Sequence, residues 1–262
     1  MPLTVTNESG EREVKEVLSA VALLSLGLVL PAAAADMPAR YTKAPAMMPV
    51  MYDWSGFYIG LNGGGASSRK CWDFTTPAGA FVAAEGCHDA TGAVAGGQVG
   101  YRWQSSNFVF GLEAQGDWAN LRGSNASLIA APFTNVSRVD AIGLFTGQVG
   151  WAWNSVLLYA KGGAAVVADR FHVETTAGNV LAATASNDTR WGATAGAGIE
   201  FGFAPNWSVA AEYNHLFMQD RLVSFATVPG GGLFGTDRIR QDVDMGTVRV
   251  NYRFGGPIIG KY

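Results

Sequence analysis

Residues Thr247 to Phe254 alternate without a break: Val248, Val250, Tyr252 and Phe254 fall on one side of a predicted strand, Thr247, Arg249, Asn251 and Arg253 on the other. A period of two residues marks a β-strand. Branched and aromatic side chains facing two arginines suit a sheet whose apolar side meets lipid and whose polar side lines a narrow interior. That is the pattern of a transmembrane β-barrel strand, about ten residues long.

The pattern recurs along the chain. Val99, Tyr101 and Trp103 oppose Gln98, Arg102 and Gln104; Phe108, Phe110, Leu112 and Trp118 oppose Asn107, Glu113, Gln115 and Asp117. Phe145, Val149, Trp151 and Trp153 oppose Thr146 and Gln148. Trp191, Ile199, Phe201 and Phe203 oppose Thr194, Glu200 and four glycines, and Trp207, Val209, Tyr213 and Phe217 oppose Ser208, Glu212 and Asn214. A first strand over Asp53 to Gly65 turns Phe57, Ile59 and Leu61 outward and Tyr58 and Asn62 inward. A fifth, Val156 to Ala168, has a blurred phase that leaves Lys161 without an assigned face. The expectation is an all-β chain: an eight-stranded antiparallel up-and-down transmembrane barrel over residues 53–254.

Connections alternate in length. Tight turns are expected at Ser105-Ser106, Asn154-Ser155 and Pro205-Asn206. The segments around 66–91, 120–137, 170–188 and 218–241 read as loops of about 18 to 26 residues, long for a compact soluble domain. Short turns on the periplasmic side and long loops outside the cell are the rule for outer-membrane barrels.

Composition agrees with this class. Charged residues make up 15% of the chain, and many of the 34 glycines lie in the predicted strands, where they let a narrow barrel close. The formal net charge of -3 provides no basic footprint, so nucleic acid is not an expected partner. Trp54, Trp103, Trp118, Trp151, Trp153, Trp191 and Trp207 sit at or near strand ends and read as interfacial girdles, although aromatics favour strands in any case.

The N-terminus supplies an export address. Leu18 to Leu30 has the length of a signal-peptide core and ends in small residues that fit cleavage before Asp36, so residues 1–35 read as a signal peptide. Glu8, Glu11 and Glu13 form an acidic prefix where a basic one is usual, which suggests a true start at Val14. Residues 36–52 form a Pro- and Met-containing lead-in, and residues 255–262 a tail. In an oxidising compartment Cys71 and Cys87, both in the first long connection, are expected to form a disulfide. The rival is metal binding with His88, but two thiols and one histidine are too few for a closed zinc site.

The runs Asp53 to Gly60, Gly97 to Gln104, Phe108 to Glu113 and Thr247 to Phe254 resemble the small outer-membrane β-barrels of alphaproteobacteria, proteins described variously as porins, surface antigens or haem-binding proteins. The resemblance covers about residues 52–254 and implies an eight-stranded barrel in the outer membrane. It leaves activity open, since fold does not fix function. Barrels of this kind end on an aromatic residue read by the assembly machinery; Val248, Val250, Tyr252 and Phe254 are the expected signal, although Gly255 to Tyr262 follow and Tyr262 is an alternative terminal aromatic.

The phase turns Arg102, Glu113, Asp117, Glu200, Glu212, Arg249 and Arg253 inward. Eight strands leave room only for side chains to fill the interior. These charges are expected to pair, Glu212 with Arg249 or Arg253 for example, as a polar network filling the lumen; the alternative is the lining of a narrow solute path. No catalytic residue, metal or cofactor is expected: His88, His172 and His215 carry no nucleophile motif, and haem ligation by His88 or His172 has only the family description behind it. The role read from the chain is structural and interactive, with four external loops, and the alternative is a passive small-solute channel. Expected partners are outer-membrane lipid and lipopolysaccharide, the assembly machinery, and a host or surface ligand at the loops.

Overall fold

The computed structural model describes residues 52–255; the expected signal peptide over residues 1–35, the expected start at Val14, residues 36–51 of the lead-in and the tail beyond Gly255 lie outside the described residues. Ten strand segments follow in chain order: β1 (Gly56–Thr75), β2 (Phe81–Ser105), β3 (Phe108–Ala126), β4 (Phe133–Trp153), β5 (Val156–Thr175), β6 (Leu181–Thr184), β7 (Asp188–Ala204), β8 (Trp207–Met218), β9 (Arg221–Thr227) and β10 (Leu233–Phe254). All pairings are antiparallel, and β1 pairs with β10, so the sheet closes on itself. In the lower part the ring is β1-β2-β3-β4-β5-β7-β8-β10, eight strands. In the upper part β6 pairs with β5, β9 with β10, and β6 with β9. β6 and β7 are thus one wall strand interrupted at residues 185–187, and β8 and β9 another, interrupted at 219–220.

Two-residue turns at 106–107, 154–155 and 205–206 close one end. Ser106 and Asn154 adopt φ of 56° and 52°, the left-handed conformation that tight hairpins require.

The long connections are not irregular loops. The strands continue through most of residues 66–91, 120–137, 170–188 and 218–241, leaving short turns at 76–80, 127–132, 176–180 and 228–232. The reason lies in an inversion of the alternation. Below, Phe57, Ile59 and Leu61 of β1 face out and Tyr58 and Asn62 face in. Above, Arg69 faces out while Lys70 and Trp72 are buried inside. β5 likewise turns Arg170 outward and buries Phe171 and Val173, and β10 exposes Arg240, Asp242 and Asp244 over buried Ile239, Val243 and Met245. Polar outside and apolar inside is how a sheet packs in water. The upper half is therefore a water-facing collar built on the lipid-facing lower half, with the same strands serving both.

Candidate functional site

The interior is the most elaborate feature of the molecule, and it is layered. At the turn end Trp54 is buried against Val109, Ala152 and Leu157, and its Nε1 donates to the Asn154 carbonyl at 3.2 Å. Tyr52, assigned above to the lead-in, packs on Trp54 with ring centroids 4.5 Å apart. Trp54 consequently does not belong to the girdle predicted from its position; it closes the base of the lumen. The other six girdle tryptophans all face outward.

Above this base lies the polar layer. Arg102 Nη2 reaches Glu200 Oε2 across the lumen at 2.7 Å. Lys161 Nζ sits between Glu113 Oε1 (2.9 Å) and Glu212 Oε1 (2.7 Å), and Arg249 bonds the other oxygen of each carboxylate. Three carboxylates thus meet three cations, and all six side chains are buried. Buried charges persist only when paired and hydrogen-bonded. Tyr58 donates to Glu113 at 2.6 Å and Tyr159 to Glu212 at 2.7 Å, supplying further partners.

Two triplets build this layer from equivalent positions. Tyr58 lies opposite Gly100, and Tyr159 opposite Gly198. Each tyrosine ring occupies the space a Cβ would take on its glycine, and each hydroxyl reaches the glutamate on the following strand, Glu113 on β3 and Glu212 on β8. Arg102 and Glu200 each stand two residues beyond their glycine, so the cross-lumen ion pair joins corresponding sites of the two halves.

Of the residues expected inside, Arg102, Glu113, Glu200, Glu212 and Arg249 meet in this cluster. Asp117 faces in but accepts from Gln115 at 2.8 Å rather than from a cation. Arg253 lies at the base, donating to the Ser55 and Pro205 carbonyls at 3.1 and 2.9 Å, with Asp53 at 3.9 Å; Glu212 is held by Arg249 and not by Arg253. Lys161 was the residue without a face. Its strand carries Leu158, Ala160 and Gly162 outside and Leu157, Tyr159 and Gly163 inside, too little contrast for alternation to decide.

An apolar layer then crosses the lumen. Leu121, Ile142, Leu144, Val167, Leu216 and Met245 are among its buried members. A second ionic group lies beyond it: Lys70 Nζ contacts Asp169 Oδ1 and Gln241 Oε1, each at 2.7 Å, and Arg190 bonds Asp188 at 2.8 Å and the Ile239 carbonyl at 3.0 Å. The collar's own core follows, with Trp72 stacked on Phe225 at 5.2 Å and edge-on to Phe171 at 5.7 Å. Asp237 is buried near the rim. Burial, with the charges of Glu85 and Asp73 adding to it, pushes its carboxyl up to about 7.

Cys71 and Cys87 are directly opposite on β1 and β2 and are joined by a disulfide on the outer face of the collar. His88 points inward beside it. Its Nε2 lies 3.0 Å from Ser137 Oγ and its Nδ1 2.7 Å from Asn125 Oδ1. Serine, histidine and amide in this order are the parts of a nucleophilic triad. Ser137, however, is 0% exposed, so no substrate carbonyl reaches its Oγ. His172 bonds Glu174 at 2.9 Å and His215 bonds Asp244 at 2.7 Å, both on the outer wall. Among the described residues no group of histidine, cysteine, aspartate and glutamate side chains has the arrangement of a metal site.

A closed antiparallel ring with an apolar exterior and a paired polar interior defines a membrane-spanning β-barrel, which leaves no free strand edge in lipid. The chain belongs to the family described as outer membrane protein beta-barrel domain, whose model matches residues 20–254. It is 30% identical over 240 residues to the 31 kDa outer-membrane immunogenic protein of Brucella melitensis, covering 85% of this chain and 93% of the relative, and the Brucella suis protein matches equally. Its fold is also similar to that of the outer membrane protease OmpT of Escherichia coli, with TM-score 0.52 and 8% identity over 76% of this chain and 97% of that one. The protein is thus an outer-membrane β-barrel of a Gram-negative envelope, homologous to an outer-membrane immunogenic protein.

Proposed function

We propose that the protein is a non-conducting barrel, without catalytic activity, that stabilises the envelope and presents its collar for recognition at the cell surface. The observation that carries this reading is the apolar layer between the two ionic groups. A solute path would have to cross Leu121, Leu144, Val167 and Leu216, each fully buried, in a barrel whose neighbouring layers are held by charge pairs. The paired charges then act as a polar core that fixes the barrel's shape. The closed Ser137 is the reason to set hydrolysis aside.

The rim favours recognition. Phe81 and Val82, Leu128 and Ile129, Val180 and Leu181, and Leu233 and Phe234 put exposed apolar side chains on all four turns. Exposed apolar clusters remote from lipid are characteristic of contact surfaces. The relative's description as immunogenic supports an accessible collar. Phe254, at the end of β10, is the residue proposed to be read by the assembly machinery.

Refolded protein in a planar bilayer tests the central claim. A heat-dependent shift in gel migration with no steady conductance supports it, whereas discrete reproducible openings establish the channel reading.

A further inference from the structure

Three arginines stand in a row on the outer wall. Arg122 of β3 is directly opposite Arg138 of β4, and Arg138 is directly opposite Arg170 of β5. Like charges in register across strands destabilise a sheet. On the other side of the collar charges are matched: Asp242, Arg69 and Asp89 alternate in sign across β10, β1 and β2. The arginine row lacks such matching. Asp140 pairs with Arg170 at 2.8 Å, Arg122 donates to the neutral Asn120 Oδ1 at 3.1 Å, and Arg138 has no carboxylate partner among the described residues. Two guanidinium groups are therefore left without a counter-charge.

Depth indicates what supplies it. Trp118, 80% exposed, pairs with Ala141, and the Arg122–Arg138 pair follows just beyond the bulge above it. Tryptophan at the edge of an apolar belt marks the level of the lipid headgroups. With strands about 4.8 Å apart, the row spans roughly 10 Å at that level. Guanidinium groups match phosphate through paired, charge-assisted hydrogen bonds.

We propose that Arg122, Arg138 and Arg170 form a binding site for the phosphate groups of a glycolipid of the outer leaflet. The site lies on the wall and is independent of whether the lumen conducts. Asp140 moderates it by occupying one of the three arginines.

The test uses the exported protein refolded in detergent, with bound lipid measured by native mass spectrometry. The probes are bisphosphorylated lipid A and the same lipid stripped of its phosphates. The wild type is expected to retain the phosphorylated form selectively. The R122Q/R138Q variant is expected to lose about 30-fold in affinity, at about fivefold per basic group near an anionic surface. R240Q, on β10 and paired with Asp73, is expected to bind like the wild type. Heat-modifiable migration of both variants shows that the barrel has formed. Equal retention of the two lipids by the wild type overturns the proposal without recourse to any variant, and so does equal loss in R240Q.

Discussion

Tyr159 faces Gly198 across the β5–β7 pair, and its ring fills the volume that any side chain at Gly198 would need. The glycine is thereby part of the ionic layer, since it admits the ring whose hydroxyl donates to Glu212. Tyr58 and Gly100 repeat the relationship toward Glu113. Gly198→Val should displace Tyr159 and leave one bond of a buried carboxylate unmade, costing about 1–3 kcal/mol for the overpacking alone. Tyr159→Phe keeps the ring and removes only the hydroxyl, so it should cost less. Urea titration of refolded protein in detergent, followed by tryptophan fluorescence, orders the two; equal stability of Gly198→Val and wild type would contradict the packing.

Lys161 and Arg249 together neutralise Glu113 and Glu212. Lys161→Met leaves two buried carboxylates facing one cation, and breaking a buried pair in this way costs about 3–5 kcal/mol. Adding Glu113→Gln restores the charge balance, so the double variant should be more stable than Lys161→Met alone. A double-mutant cycle on unfolding midpoints measures the coupling, and additive losses would show that Lys161 does not act through Glu113.

Asp237 makes the collar sensitive to pH. Its usual value is 3.8, and in the folded collar it rises to about 7 because burial and the nearby Glu85 and Asp73 charges oppose ionisation. Between these values the folded state holds a proton that the unfolded chain has released. Collar stability should therefore fall as pH rises through this window and level off above 7. Asp237→Asn should flatten the dependence and slow opening at pH 8. Amide exchange at residues 233–240, measured at pH 5 and pH 8 and corrected for intrinsic exchange, checks both statements.

The Cys71–Cys87 disulfide ties β1 to β2 above the lipid belt, with a sequence separation of 16. Closing a loop of this size constrains the unfolded chain by about 3 kcal/mol in the chain-entropy picture. Because the bridge lies in the collar, its loss should act locally. The double Cys→Ser variant is expected to keep heat-modifiable migration but to be cut faster by protease at residues 76–80. Loss of the migration shift would mean that the bridge also supports the lipid-facing barrel.

The lower barrel was legible in the chain because lipid enforces a strict rule there. An outward side chain must be apolar along Phe57 to Leu61 or Val248 to Phe254, so alternation alone assigned the faces, the eight strands and most of the inward charges. The collar was not legible by the same rule. Its strands obey the opposite alternation, with Trp72, Phe171 and Phe225 inside and Arg69 and Arg170 outside, so segments that look like loops to a search for lipid-facing stripes are strands with a core of their own.

The chain by itself determined that this is a β-barrel with an interior rich in charge, because period, sign and polarity are properties of consecutive residues. Only the tertiary structure decided which charges meet. Lys161 lies 48 residues from Glu113 and 51 from Glu212, and Arg102 lies 98 from Glu200. Such distances are closed by ring order and register, which no local pattern encodes. The same holds for Trp54, whose place at a strand end could not tell interface from lumen until the closing turns brought Asn154 to its indole nitrogen.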